Sequence, residues 1–64
     1  EKDEAPVFLP IAETARRIGL SRRKIYDLVD EGRFPKPVKL SARRIAFVEA
    51  EIEAWQRARM GERQ

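Results

Sequence analysis

Almost every reactive side chain in this sequence is a charged one. It contains no histidine and no cysteine, which removes the commonest general base, the commonest metal ligand and every thiolate. Glu49, Glu51 and Glu53 are close together, but they open a helical stretch, where carboxylates suit the positive helix end. We assign no catalytic residue, metal ligand or cofactor, find no small-molecule substrate evident, and expect the chain not to be an enzyme. What remains is the run Arg22-Arg23-Lys24, with Tyr26 and Asp27 just beyond it. Cations in the first turn of a helix oppose the positive end of its dipole. Residues placed against that preference point to an external anion, and phosphate is the simplest one.

Charge along the chain points the same way. Residues 16–44 hold ten Lys and Arg against Asp27, Asp30 and Glu31, a net of +7, while the remainder holds four cations and eight carboxylates, a net of −4; together they make the formal +3. A basic middle between acidic ends is the electrostatic footprint of a nucleic-acid surface, although a charge run by itself also describes a merely solvated face.

The elements that must position these cations can be read residue by residue. Ile11, Ala15 and Ile18 form the apolar stripe of a helix of about two turns, with Pro10 suited to its entry. Gly19 stops it in the left-handed position that glycine takes cheaply. Ser21 caps the next helix, whose core stripe is Ile25, Leu28 and Val29, and Gly32 closes it. The three-residue connection lets the two helices cross steeply. Small Ala15 and Gly19, with apolar Ile18, Ile25 and Leu28, resemble helix-turn-helix regulators at the spacing those proteins share.

Before the first helix, Val7-Phe8-Leu9 reads as a short extended run that packs Phe8 or Leu9 on the core as a third strand. After Gly32, Pro35 and Pro37 forbid helix. Val38 and Leu40 alternate with Lys39, and Ile45 and Phe47 with Ala46, which predicts a two-stranded hairpin with its apolar face inward. Its tip, Ser41 to Arg44, lacks glycine and asparagine, so a type I′ turn is not expected and a looser tip of three to five residues is. Arg33, Lys36, Lys39, Arg43 and Arg44 make this hairpin a basic wing, with Arg43 or Arg44 either entering the minor groove or holding phosphates. It leans on the helices through Phe34, Ile45 and Phe47. A last helix runs from Val48 or Glu49 to Met60, with Trp55 as its central core residue; stacking on a base is the alternative.

The order lead strand, helix, turn, helix, basic hairpin, helix, carried by VFLPIAETARRIGLSRRKIYDLVDEGRFPKPVKL and RRIAFVEAEIEAW, resembles the AlpA-type phage regulators, close to the excisionases and the MerR-like winged-helix domain. The most specific parts are Ser21 to Tyr26, Gly32-Arg33-Phe34-Pro35 and the spacing from Phe47 to Trp55. Two positions depart from the pattern: Ser41 stands where the family often has a wing glycine, and Phe47 where it usually has tryptophan. The resemblance implies a mainly α fold with a small β-hairpin, a winged helix-turn-helix of three helices and a two-stranded wing. It also implies a sequence-specific transcriptional regulator of prophages or other mobile elements, with a role in excision.

On the wheel of the second helix, the side opposite Ile25, Leu28 and Val29 holds Arg23, Asp27 and Asp30. Base edges are reached from the first two turns of such a helix, so Arg23 is chosen for guanine O6 and N7. Arg22 and Lys24 mainly hold backbone, and Ser21, the N-cap, is counted among the DNA-binding residues. Tyr26 contacts a phosphate or a thymine methyl, or forms a half-buried core edge. Asp27 either accepts from cytosine N4 or orients Arg23 at i, i+4; the pair is favoured. Arg16 and Arg17 point away from their stripe and serve as phosphate contacts or as surface charges.

The partner expected is double-stranded DNA, with self-association on adjacent sites because one small domain reads only a few base pairs. An excisionase-like architectural factor, or a non-catalytic protein-interaction module, are the competing readings. Residues 1–6 are expected to be a disordered lead-in, 7–60 the domain and 61–64 a frayed tail. EKDE is unlike a signal peptide and no apolar run approaches the ~20 residues of a membrane span, so a cytoplasmic, nucleoid-associated protein is expected.

Overall fold

The computed structural model describes residues 5–63. Its elements run β1 (Phe8–Leu9), α1 (Ile11–Ile18), α2 (Arg22–Asp30), β2 (Val38–Lys39), β3 (Ile45–Val48) and α3 (Glu49–Glu62). This is the winged helix-turn-helix expected, mainly helical with a small sheet. Of the expected lead-in, residues 1–4 lie outside the described part, and Ala5 and Pro6 have no regular structure.

The two helix stops work as their glycines require. Gly19 takes φ 75°, and its N–H donates to the Ala15 carbonyl at 2.9 Å, which closes α1 with a left-handed cap. Ser21 then turns the chain back into helix, its Oγ accepting from the Lys24 N–H at 3.0 Å. At the far end of α2, Gly32 lies at φ 74°. The Gly32 N–H donates to Val29 O at 3.0 Å and the Arg33 N–H to Leu28 O at 2.9 Å. This double closure directs the exit toward Phe34.

The sheet has strand order β1-β3-β2, so the lead run is indeed a third strand. Both pairings are antiparallel, with Phe8 opposite Val48, Leu9 opposite Phe47, Val38 opposite Ala46 and Lys39 opposite Ile45. Leu9, Ile45 and Phe47 therefore share one face with Lys39, and Phe8, Val38, Ala46 and Val48 share the other. The hairpin is not apolar-inward on both strands as its alternation predicts. Val38 is 36% and Leu40 47% exposed, because the register sets Val38 on the face opposite Ile45 and Phe47 and Leu40 lies beyond the two-residue β2. Between β2 and β3 lies the five-residue tip 40–44, in which no residue has positive φ, so no I′ turn forms. The Arg44 N–H reaches Ser41 O at 3.4 Å, and Ser41 Oγ accepts from the Arg43 N–H at 3.4 Å. Serine thus substitutes for glycine by bonding its own turn.

The core centres on Phe47, Ile25, Ile52 and Thr14, with Leu9, Leu28 and Phe34 around them. Phe34 meets Phe47 edge-on at 5.5 Å and Trp55 at 4.8 Å. Trp55 is therefore a flanking residue, half-buried and packed on the cluster, and Ile52 takes the central place expected of it. The reason is polar: the indole N–H donates to the Arg33 carbonyl at 3.0 Å, which holds one edge of the ring at the surface. Buried Thr14 is satisfied by its Oγ1 donating to Pro10 O at 3.0 Å, so a polar residue sits on the α1 stripe at no unpaired cost. α3 starts without a loop after β3; the Glu49 N–H donates to Val7 O at 2.8 Å. It continues through Gly61 to Glu62, past the expected end at Met60 and into the stretch expected to fray, since a helix tolerates glycine at a cost of about 1 kcal/mol.

Candidate nucleic-acid interface

α2 carries the densest group of cations. Arg22, Arg23 and Lys24 occupy its first three positions after the Ser21 cap and all three are exposed. The fully buried Ile25 and the buried Leu28 pin the opposite side of the helix to the core. That anchoring leaves Arg23, Asp27 and Asp30 facing solvent, with Tyr26 on the flank at 44% exposed. Tyr26 is thus exposed and stands outside the core cluster. Among the described residues no ion pair joins Arg23 to Asp27, in contrast to the i, i+4 pairing expected. The order is the weaker one: a cation N-terminal to its carboxylate gains less than the reverse, and an exposed pair gains little in any case. Arg23 is left without an ion-pair partner among the described residues.

The cations of α1 behave differently. Arg16 Nη2 lies 2.6 Å from Glu13 Oε2, while Arg17 bridges Glu13 Oε2 at 3.1 Å and Glu49 Oε2 at 2.9 Å. Hydrogen bonds from Arg16 and then Arg17 hold the Glu13 carboxyl below its ordinary range, and Glu13 in turn holds both guanidinium groups above theirs. Arg17 therefore ties α1 to the start of α3. The i−3 and i−4 spacing of Glu13 to these arginines is plain in the sequence, whereas the Glu49 contact spans 32 residues and exists only in the folded chain. Arg33 likewise lies 3.3 Å from Glu31.

Of the ten cations in the basic middle, Arg16, Arg17 and Arg33 are paired. Arg22, Arg23, Lys24, Lys36, Lys39, Arg43 and Arg44 have no carboxylate within ion-pair distance among the described residues. Arg43 and Arg44 sit exposed on the wing tip, and Lys39 on its outer strand. Lys36, between two prolines on the exit from α2, borders an open groove of about 700 Å³ floored by Phe34, Pro35 and Trp55. Among the described residues no group of three or more Cys, Asp or Glu is placed to hold a metal ion, and no helix is long and apolar enough to cross a membrane.

This arrangement of capped, cation-tipped helix and basic wing can be set beside known proteins. Residues 8–60 match the family described as prophage CP4-57 regulatory protein (AlpA). The chain is also 38% identical over 56 residues to the uncharacterized protein ORF88 of Enterobacteria phage P4. That alignment covers 88% of the chain and 64% of the phage protein, so the chain spans a little under two thirds of this relative's length. With the match running from the first strand nearly to the end of α3, the chain belongs to the AlpA family of prophage regulatory proteins.

Proposed function

We propose that the protein is a sequence-specific double-stranded DNA-binding transcriptional regulator, with α2 entering the major groove by its N-terminal turns. The observation that carries this reading is the exposed trio Arg22, Arg23 and Lys24, without an ion-pair partner among the described residues, at the start of the second helix of a helix-turn-helix. Ser21 starts the helix at a fixed point, so backbone N–H groups and cations meet phosphates at the same end. Arg23 reads guanine O6 and N7 as a bidentate donor. Arg22 and Lys24 hold phosphates, and Tyr26 contacts a phosphate or a thymine methyl.

On the wing, Lys39, Arg43 and Arg44 contact the backbone or the minor groove, and Lys36 holds backbone beside it. Arg16, Arg17 and Arg33 contribute less, because each already serves a carboxylate. Two or more copies occupy adjacent sites to read enough base pairs. As a member of a prophage regulatory family, the protein controls mobile-element genes, including those for excision, in the cytoplasm and on the nucleoid when bound.

The test is selection of bound duplexes from a random pool, followed by Arg23→Ala. We expect a short enriched motif, and a loss of about 1–3 kcal/mol on it with one position relaxed. An equal loss on random DNA reassigns Arg23 to the backbone, and no enrichment at all overturns the reading.

A further inference from the structure

α2 violates helix electrostatics at both ends. Its first turn contains no carboxylate and its last turn no cation, the reverse of what stabilises a helix. Arg22, Arg23 and Lys24 add to the positive end of the backbone dipole. Asp27, Asp30 and Glu31 add to the negative end. Glu31 is offset by Arg33 at 3.3 Å. Asp27 and Asp30 have no cationic partner among the described residues and are exposed. Both share with Arg23 the face opposite Ile25 and Leu28. Arg23 and Asp30 are seven residues apart, about 10 Å along the axis.

We propose that Asp27 and Asp30 are negative specificity determinants, carboxylates that repel phosphates and so admit α2 to DNA only in one tilt. The inference rests on the DNA-binding reading above. With the cationic turn inserted, the acidic turns tip away from the groove, and base contacts by the first turns hold that pose. A sequence without the matching bases offers no such anchor. The helix then samples looser alignments, in which Asp27 or Asp30 approaches a backbone carrying one charge per about 1.7 Å of duplex. The carboxylates penalise those alignments more than the cognate one, and repulsion of this kind separates a true site from its competitors. Both residues cost α2 some helix stability at its C-terminal end, which gives the charge reversal a function that packing does not.

The experiment measures Kd for the selected motif and for random duplex with the wild-type protein and with the isosteric double variant Asp27→Asn/Asp30→Asn, at fixed salt. Random-duplex binding tightens by roughly three- to tenfold, from two charges acting within about a Debye length. Motif binding tightens distinctly less, so the specificity ratio falls. Asp30→Asn alone moves the ratio the same way by a smaller step. Glu51→Gln/Glu53→Gln on α3, exposed and of equal charge change, leaves the ratio where it was, and thermal melts establish that all variants are folded. An unchanged ratio, or an equal change from the α3 variant, overturns the inference and leaves DNA recognition standing. A weakened motif complex overturns it as well, because Asp27 then accepts from a base. Failure of the wild type to prefer any duplex refutes the DNA-binding reading itself, and this one with it.

Discussion

Replacing Arg22 and Lys24 together by glutamine tests the electrostatics of α2 while leaving Arg23 in place. Seven cations of the basic middle have no ion-pair partner among the described residues, namely Arg22, Arg23, Lys24, Lys36, Lys39, Arg43 and Arg44. If the six other than Arg23, which reads a base, meet phosphates, log K falls against log salt with a slope of about −5, at about 0.9 per contact. Between about 50 and 200 mM salt the wild type then loses roughly 10³- to 10⁴-fold in affinity. Arg22→Gln/Lys24→Gln removes two contacts and makes the slope shallower by about 1.8, so the same salt step costs roughly 10²- to 10³-fold. Glutamine keeps helix propensity close to that of the residues it replaces, and both positions are exposed, so the fold is retained. Fluorescence anisotropy with a labelled duplex across a salt series reads the slope directly. Arg57→Gln on α3, another exposed cation, is the control and leaves the slope unchanged. A double variant with the wild-type slope refutes the claim that the first turn of α2 holds backbone.

The remaining expectations concern the scaffold. Gly19→Ala meets no atom within 4 Å of the new Cβ, so its cost is the left-handed backbone alone, about 1–2 kcal/mol; Gly61→Ala, inside α3 without positive φ, gains up to about 0.5–1 kcal/mol. Thermal midpoints of opposite sign are the expected result. Phe47→Ala removes a ring with no solvent exposure and costs about 3–5 kcal/mol, a large share of what a small domain has; denaturant titration then finds the transition close to water. Glu13 is held below its ordinary value of 4.5 by hydrogen bonds from Arg16 and then Arg17. Its contribution to stability is therefore complete above that value and is lost as pH falls through the lower folded one. Wild-type melts at descending pH should lose stability in that window relative to Glu13→Gln, and parallel curves for the two would show that the pairing contributes nothing.

Local physics explains why so much was legible before folding. Gly19, Ser21 and Gly32 act within a few residues of themselves, through φ > 0 and a side chain reaching its own helix. Helix stripes, the helix-turn-helix, the lead strand and the concentration of cations at Arg22, Arg23 and Lys24 all follow from period and spacing, and so they were readable in the chain alone. What depends on distant partners was not. Trp55 looks central on its wheel, but the Arg33 carbonyl holds its N–H at the rim and hands the centre to Ile52. Val38 alternates as if it faced the core, yet the strand register pairs it with Ala46, on the face away from Ile45 and Phe47. Arg17 shows only Glu13 as a local neighbour until folding brings Glu49 to it. Which cations remain available to a partner is decided by such long-range pairings, because an ion pair needs two side chains within a few ångströms, and only the tertiary structure sets that separation.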